Sequence, residues 1–181
     1  AAASLDDSST DDREDLTCSA SPLICTIDPP DAKDFDDAIS IEQLENQEDD
    51  AVWELGVHIA DVSYFVKPGS GLDQEAYARG NSTYLPRKVI PMLPEILSNG
   101  VCSLQEKVKR LAKSCFLRYD ASGHVVNERF AQTVICSDKR LTYLEAQALI
   151  DDDLRTACKH AAVGSEPKYP RPLVKTLKQL D

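Results

Sequence analysis

The chain has 181 residues, of which 42% are apolar, enough for the core of one ordinary domain or for part of a larger one. Its formal net charge of −11 argues against general attraction to a nucleic acid, whose phosphates are also negative. No apolar run reaches the ~18 residues of a membrane-spanning helix, and the N-terminus shows no signal-peptide pattern, so we expect neither a membrane segment nor a signal peptide.

The charge is unevenly distributed along the chain. Residues 1–15 carry six acids and one arginine, whereas residues 79–118 carry eight lysines or arginines and two glutamates. A basic middle section fits an anionic substrate, but solvated faces of mixed sign would give the same counts. Within it, Lys107, Lys109, Arg110 and Lys113 could follow phosphates, and on sequence alone they are ordinary solvated charges.

Six cysteines occur without the close spacing of a metal or redox motif, and most of them lie in apolar runs. Buried free thiols in a reducing compartment explain this pattern most simply, so we expect a cytoplasmic protein. The three histidines are isolated from one another, so a zinc site is not expected.

The first predicted elements are an arm and three strands. Residues 1–20 are rich in Ser, Thr and Asp, and we expect them to form a disordered or loose acidic arm. The apolar residues within 21–27 and 38–44 predict two strands, and 52–60 predicts a third that ends at Asp61.

Three residues of this third segment have alternative interpretations. We expect Trp53 to be a core residue, and His58 to be a packed strand residue rather than a ligand. Asp61 could orient a neighbouring loop or accept hydrogen bonds from backbone donors, and we favour the second role.

The middle of the chain predicts short elements separated by turns. Residues 72–80 predict a helix, because acids lie in its first turn and an arginine in its last. Three prolines exclude a long regular element in 81–94. Residues 95–98 predict one helical turn, which Asn99-Gly100 should end.

The following segments predict a hairpin and a capped helix. Residues 113–120 and 124–137 predict the two strands of the hairpin, joined by a Gly-containing turn. Thr142 and Glu145 have the spacing of a capping box, which opens a helix to about Ile150.

The last stretch predicts an amphipathic helix after a proline-rich break at residues 164–172. Apolar residues recur on one face of it: Leu173, Val174, Leu177 and Leu180. No packing partner for this apolar face is evident in the sequence.

The connection between the first two strands concentrates acidic residues. Five aspartates fall between residues 28 and 37: Asp28, Asp31, Asp34, Asp36 and Asp37. Pro29-Pro30 makes the connection rigid, and we expect Asp31 to cap this turn. Carboxylates held close together repel one another and raise each other's pKa values, and a hard cation with oxygen ligands, above all Mg²⁺, relieves that repulsion.

Several kinds of site could contain such an acidic loop. A magnesium centre for phosphodiester hydrolysis fits, because bound Mg²⁺ activates water and stabilises charge on the attacking and leaving oxygens. A calcium EF-hand does not fit, because Ala38 and Ile39 stand where an acid or amide and a glycine are needed. An unspecific acidic turn remains the alternative.

Five segments, in order, resemble the RNB catalytic domain of the ribonuclease II / ribonuclease R family, and the ribonuclease R branch in particular. They are Thr26–Ala38, His58–Val66, Tyr84–Pro86, Val89–Leu104 and Arg140–Tyr143. The resemblance covers the chain from about residue 13 to its end.

This resemblance implies a processive, Mg²⁺-dependent hydrolase, with Mn²⁺ as a substitute ion, that degrades single-stranded RNA from its 3′ end to nucleoside 5′-monophosphates. It implies that Asp28, Asp34, Asp36 and Asp37 bind the metal, with Asp36 and Asp34 closest to the chemistry. It also implies that Tyr84 stacks on the base at the 3′ end.

The resemblance further implies an α/β (α+β) fold with a mixed, largely antiparallel sheet and flanking helices. Residues 21–181 match the N-terminal portion of the RNB domain, so the core is expected to be incomplete. Family members also carry cold-shock and S1 barrels, the expected partners together with the rest of the domain. We therefore expect the isolated chain to bind Mg²⁺ weakly and to cleave RNA poorly.

Two rival functions remain open: a Mg²⁺-dependent phosphoesterase with another substrate, and a non-catalytic scaffold that binds partners through its acidic arm.

Overall fold

A computed structural model of the chain describes residues 12–17, 22–45, 50–86 and 88–180. The strands in this part are β1 (Glu14–Asp15), β2 (Ile24–Asp28), β3 (Asp37–Gln43), β4 (Trp53–Ala60), β5 (Thr83–Leu85), β6 (Lys88–Ile90), β7 (Lys109–Tyr119), β8 (Val125–Cys136) and β9 (Lys139–Thr142). Seven of them form one sheet in the order β1-β8-β7-β4-β3-β2-β9, and β5 and β6 form a separate hairpin.

Most neighbouring strands in the large sheet run antiparallel. The exceptions are β1 with β8 and β2 with β9, which are parallel. The expected mixed, largely antiparallel sheet is thus confirmed, and so is the predicted hairpin, which β7 and β8 form with an irregularity between Arg118 and Tyr119.

The α-helices in the described part are α1 (Val62–Phe65), α2 (Gly71–Arg79), α3 (Tyr143–Ile150), α4 (Leu154–Lys159) and α5 (Arg171–Leu180), and a π-helical segment spans Leu97–Val101. None of them is long and apolar enough to cross a membrane.

Local sequence signals account well for two helix ends. In α3, the Thr142 hydroxyl accepts a hydrogen bond from the Glu145 amide, and the Glu145 carboxylate accepts one from the Thr142 amide. This is the predicted capping box. Helix α2 ends at Gly80, which adopts a positive φ of 73° that a residue with a side chain rarely adopts.

The prediction that Asn99-Gly100 ends a helical turn is wrong. Both residues lie inside a π-helical segment, Leu97–Val101. This wider turn closes when the Cys102 amide donates to the Leu97 carbonyl over 3.0 Å. A long-range contact then holds the chain, because the Leu104 amide donates to the Phe35 carbonyl over 2.7 Å.

The expectation that the last helix lacks a packing partner is also wrong. Leu173 and Leu177 are fully buried in one apolar cluster, which includes residues of β2, β9 and α3: Cys25, Leu141, Ala146, Ala148 and Leu149. The partners are distant in sequence, so the helical pattern alone could not reveal them.

A second core cluster packs on the other face of the sheet. It contains Ile24, Phe35, Ala38, Cys102, Leu104 and Ile135. Neighbouring residues Ile24 and Cys25 belong to different clusters, as the two-residue period of a strand requires. The acidic connection enters this core through Phe35.

Part of the expected N-terminal arm contacts the sheet. Glu14 and Asp15 pair with Thr133 and Val134 of β8, so residues 12–17 are not a loose arm. The Arg13 guanidinium lies 2.6 Å from the Asp61 carboxylate, and both side chains are buried, which fixes the segment. Residues 1–11 and 18–21 lie outside the described part of the chain.

Candidate active site

The acidic loop lies at one end of two neighbouring strands of the sheet. Strand β2 ends at Asp28 and its antiparallel neighbour β3 begins at Asp37, so both carboxylates lie at the same end of this strand pair. Residues 29–36 connect them. The Pro29-Pro30 turn is closed by a backbone hydrogen bond from the Ala32 amide to the Pro29 carbonyl over 3.1 Å.

Neighbouring segments hold the backbone of this loop. The Phe35 amide donates to the Ser103 hydroxyl oxygen over 3.1 Å, and the Ala60 amide donates to the Asp36 carbonyl over 2.9 Å. The Phe35 ring is buried in the core, whereas Asp34 and Asp36 on either side of it are exposed. The buried ring therefore keeps the flanking carboxylates at the surface.

Asp28 is the buried member of the acidic group. Only 7% of it is exposed, and its buried Oδ2 atom has no partner with hydrogen-bond geometry, although the neighbouring Thr26 hydroxyl lowers the pKa of Asp28 in part. Burial, followed by the negative charge of Asp37, raises the pKa of Asp28 to about 6. An orphaned carboxylate oxygen in this position is the feature that a bound cation would satisfy.

The negative charges of Asp37 and Asp36 make ionisation of the neighbouring carboxyl groups less favourable. Asp37 is exposed as a residue, but partial desolvation of its carboxylate raises its pKa, and so, to a smaller extent, does the charge of Asp36. The charge of Asp36 also acts on Asp28. Three of the four predicted metal ligands therefore influence one another. A divalent cation has the charge and the preference for oxygen ligands that would relieve the repulsion.

The fourth acid, Asp34, faces a groove next to the loop. This groove has a volume of about 580 Å³, and its lining also includes Tyr84, Met92 and Asn99. Tyr84 lies on strand β5 and is 72% exposed. The predicted stacking residue and one predicted metal ligand thus share one open groove.

The carboxylates do not form a ready-made cage. Within the described residues, no three Asp, Glu, His or Cys side chains converge closely enough to hold one ion. The residues fit Mg²⁺ by donor type, charge and the orphaned Asp28 oxygen, and Asp34, Asp36 and Asp37 are exposed side chains.

His58 is confirmed as a packed strand residue. Its Nε2 lies 3.0 Å from the Ser40 hydroxyl and its Nδ1 lies 2.7 Å from the Ser114 hydroxyl. Burial lowers the pKa of His58 to about 4. Both ring nitrogens have hydroxyl partners inside the protein, which explains its position.

Asp61 has a different role from the one we favoured. Its carboxylate accepts hydrogen bonds from the Arg13 guanidinium over 2.6 Å and from the Ser63 hydroxyl over 2.7 Å, and Lys113 lies 3.8 Å away. Despite its burial, these interactions with Ser63 and Arg13 hold the pKa of Asp61 below its usual value. It anchors the N-terminal segment through side-chain donors.

Most of the positive charges that the structure describes in the basic middle section lie next to carboxylates or are buried. Several of its charges lie next to carboxylates, in the pairs Arg79–Glu75, Lys107–Asp138, Lys113–Asp61 and Arg118–Glu54. The expectation that Arg110 is solvated is wrong: it is 1% exposed and donates to the Ser103 carbonyl over 2.9 Å.

Sequence reasoning missed two residues that hold the loop. The Ser103 hydroxyl donates to the Lys33 carbonyl over 3.0 Å, and the Arg140 guanidinium contacts the loop from β9. A signal for Arg140 was present, because it is a charged residue inside a short strand that the resemblance includes.

With this geometry established, comparison with known proteins identifies the class. The RNB domain family matches residues 13–181, so the chain belongs to that family. Ribonuclease R of Acidithiobacillus ferrooxidans is 49% identical over 142 residues, covering 78% of this chain and 31% of that protein. The chain spans less than a third of the length of the curated relatives it matches.

Solved structures share the fold of this chain. Mycoplasma genitalium RNase R in complex with ribose-methylated single-stranded RNA has a TM-score of 0.79 and 31% identity, covering 97% of this chain and 25% of that chain. Yeast Ssd1, described as a pseudonuclease, has a TM-score of 0.67 at 18% identity over 86% of this chain and 20% of that chain, so it shares the fold alone. The fold therefore does not establish catalysis by itself.

Proposed function

We propose that the chain supplies the metal-binding acids of a hydrolytic 3′-5′ exoribonuclease of the ribonuclease R type, which degrades single-stranded RNA to nucleoside 5′-monophosphates. The observation that carries this proposal is the buried Asp28 carboxylate, whose orphaned oxygen lies in the field of Asp36 and Asp37. Membership of the RNB family and the likeness to an RNA-bound RNase R support RNA as the substrate.

Asp28, Asp34, Asp36 and Asp37 are the proposed Mg²⁺ ligands, and Mn²⁺ would substitute because it also accepts carboxylate ligands. When bound, the ion lowers the pKa of water and stabilises charge on the oxygens of the phosphodiester. Asp34 and Asp36 are the proposed catalytic acids. Both flank the buried Phe35, so the core limits how far their backbone can move.

Tyr84 is the proposed contact for the base at the 3′ end. Its ring is exposed in the groove that Asp34 also lines, and every base offers a flat face for stacking. Stacking on an aromatic ring does not read base identity, which suits an enzyme that removes successive nucleotides.

The 181-residue chain by itself should bind RNA weakly and cleave it poorly. Its net charge is −11, and most of the positive charges in its middle section that the structure describes lie next to carboxylates or are buried. Affinity for RNA depends strongly on cations that contact phosphates. We propose that residues 21–181 correspond to the N-terminal portion of an RNB domain, and that its remainder and RNA-guiding barrels are the partners.

The test is a chimaera in which residues 13–181 replace the matching segment of the Acidithiobacillus ferrooxidans ribonuclease R. The chimaera should release nucleoside 5′-monophosphates from 5′-labelled single-stranded RNA in Mg²⁺, as mass spectrometry can show. Asp36→Asn should abolish release and leave RNA binding largely unchanged, because the carboxylate acts on the metal. Asp31→Asn, an exposed acid in the same loop, is the matched control.

The outcomes separate the proposal from its rivals. A folded chimaera that binds RNA but releases no nucleotide would support a non-catalytic role for this segment. Cleavage of DNA or small phosphodiesters in preference to RNA would support a phosphoesterase with another substrate. Equal loss of RNA binding and cleavage in Asp36→Asn would contradict the role given to Asp36.

A further inference from the structure

The backbone carbonyl groups of the acidic loop, residues 29–36, accept hydrogen bonds from several parts of the chain. Residues 29–36 form no regular structure, so their backbone oxygens are not paired within a helix or strand ladder and need other donors. Four of these carbonyl oxygens accept hydrogen bonds from other residues. The amides of Ala32, Leu104 and Ala60 donate to the carbonyls of Pro29, Phe35 and Asp36, and the Ser103 hydroxyl donates to the carbonyl of Lys33.

Arg140 provides two further hydrogen bonds to this loop. Its Nη2 atom donates to the carbonyl of Pro30 over 3.2 Å and to that of Ala32 over 3.1 Å. Its Nη1 atom donates to the Val163 carbonyl over 3.1 Å. One guanidinium thus joins the Pro-Pro turn to the segment that follows α4.

The same guanidinium also lies over the buried aromatic ring of the loop. Its central carbon is 4.4 Å from the centroid of the Phe35 ring, a distance typical of a cation–π contact. Its Nε atom is buried without a hydrogen-bond partner. Because a buried unpaired donor is unfavourable, the stacking and the Nη hydrogen bonds determine where this side chain lies.

We propose that Arg140 is a positioning residue that holds the acidic loop in the conformation in which its aspartates bind metal. Its guanidinium donates hydrogen bonds to the carbonyls of the residues on either side of Asp31. It also lies on the ring of Phe35, the residue between Asp34 and Asp36. A planar guanidinium can do both at once, whereas an ammonium group is a point donor without a flat face. This inference rests on the proposed function for the identity of the ligands.

The test compares Arg140→Lys and Arg140→Met with Arg129→Lys. Arg129 is a matched control, because its guanidinium lies 4.0 Å from the Phe116 ring centroid and donates to Glu14, away from the loop. Amide hydrogen exchange is measured at Ala32 and Phe35 without metal, and Mn²⁺ affinity is measured by water-proton relaxation. Urea unfolding reports global stability for each variant.

We expect exchange at Ala32 and Phe35 to accelerate by about tenfold or more in both Arg140 variants, because neither lysine nor methionine can bond the two carbonyls and lie flat on the Phe35 ring at once. Mn²⁺ affinity should fall by about tenfold, and Arg140→Lys should not restore it, because charge without the planar group is insufficient. Arg129→Lys should change neither quantity.

Unchanged exchange at both amides in folded Arg140→Lys would overturn the proposal, and so would faster exchange with unchanged Mn²⁺ affinity. Full restoration by lysine would overturn the geometric role and leave only charge. If the wild-type chain binds no Mn²⁺, the proposed metal function fails, and loop exchange alone still decides whether Arg140 holds the loop.

Discussion

Removing the charge of Asp28 should stabilise the metal-free chain. The pKa of this carboxyl rises from 3.8 in the unfolded chain to about 6 in the folded one, mainly because it is buried. A raised folded-state pKa means that Asp28 does not oppose folding below pH 3.8. Stability is lost as the pH rises towards about 6, and the loss reaches roughly 3 kcal/mol at higher pH.

Asp28→Asn removes this titration and keeps the shape of the side chain. Urea unfolding without divalent metal should therefore show the variant more stable than wild type by up to roughly 3 kcal/mol near pH 7.5, with no difference near pH 4. Asp31→Asn, exposed in the same loop, is the control and should change little. Mg²⁺ at about ten times its dissociation constant should stabilise wild type by about 1.4 kcal/mol and Asp28→Asn hardly at all.

Two results would refute this reasoning. One is an Asp28→Asn variant that is no more stable than wild type near neutral pH, since the ionised carboxylate would then not destabilise the folded chain. The other is a gain in stability that is the same at pH 4 and at pH 7.5, since it would not arise from the titration of Asp28.

Three further predictions concern single residues. The NMR titration of His58 should have its midpoint near 4, so the stability it contributes is present above pH 6.5 and lost as the pH falls towards 4; a midpoint near 6.5 would contradict its burial. Arg13→Met should lower the free energy of unfolding by roughly 3 kcal/mol in urea, because the buried Asp61 carboxylate then keeps only the Ser63 hydroxyl and the more distant Lys113, and a loss below about 1 kcal/mol would contradict this. Tyr84→Ala should weaken binding of a short RNA oligonucleotide by about 1–3 kcal/mol in fluorescence anisotropy without changing stability, whereas Tyr77→Ala, 90% exposed outside the groove, should leave binding unchanged.

The sequence predicted the elements whose signals are local. A continuous apolar run predicted β2, alternating apolar residues predicted β3 and β4, and the Thr142–Glu145 spacing predicted the start of α3. These patterns arise from neighbours within a few residues, so each segment carries its own signal. The acidic loop between β2 and β3 followed from the same reasoning.

The sequence did not reveal contacts between distant segments. Leu173 and Leu177 pack on α3 and the sheet, and the sequence shows only that they share a helix face. Arg110 looked like a solvated charge, because burial of a guanidinium depends on carbonyl oxygens supplied by other segments. The contacts of Arg140 with the acidic loop likewise join segments that are distant in sequence. Tertiary context decides such cases, and a single sequence does not contain it in readable form.

The candidate site was predictable in part for the same reason. The acids were evident from composition and spacing, whereas the groups that hold their backbone, Ser103 and Arg140, became evident only in the folded chain. The raised pKa of Asp28 likewise depends on burial at the end of β2, together with the charge of Asp37.

The central claim is that the four aspartates hold a divalent cation. Isothermal titration calorimetry of the chain with Mn²⁺ near neutral pH tests it most directly. We predict that wild type and Asp31→Asn bind Mn²⁺ and that Asp36→Asn binds at least about tenfold more weakly, because it removes one carboxylate ligand. Absence of binding by wild type, or equal binding by Asp36→Asn, would contradict the account.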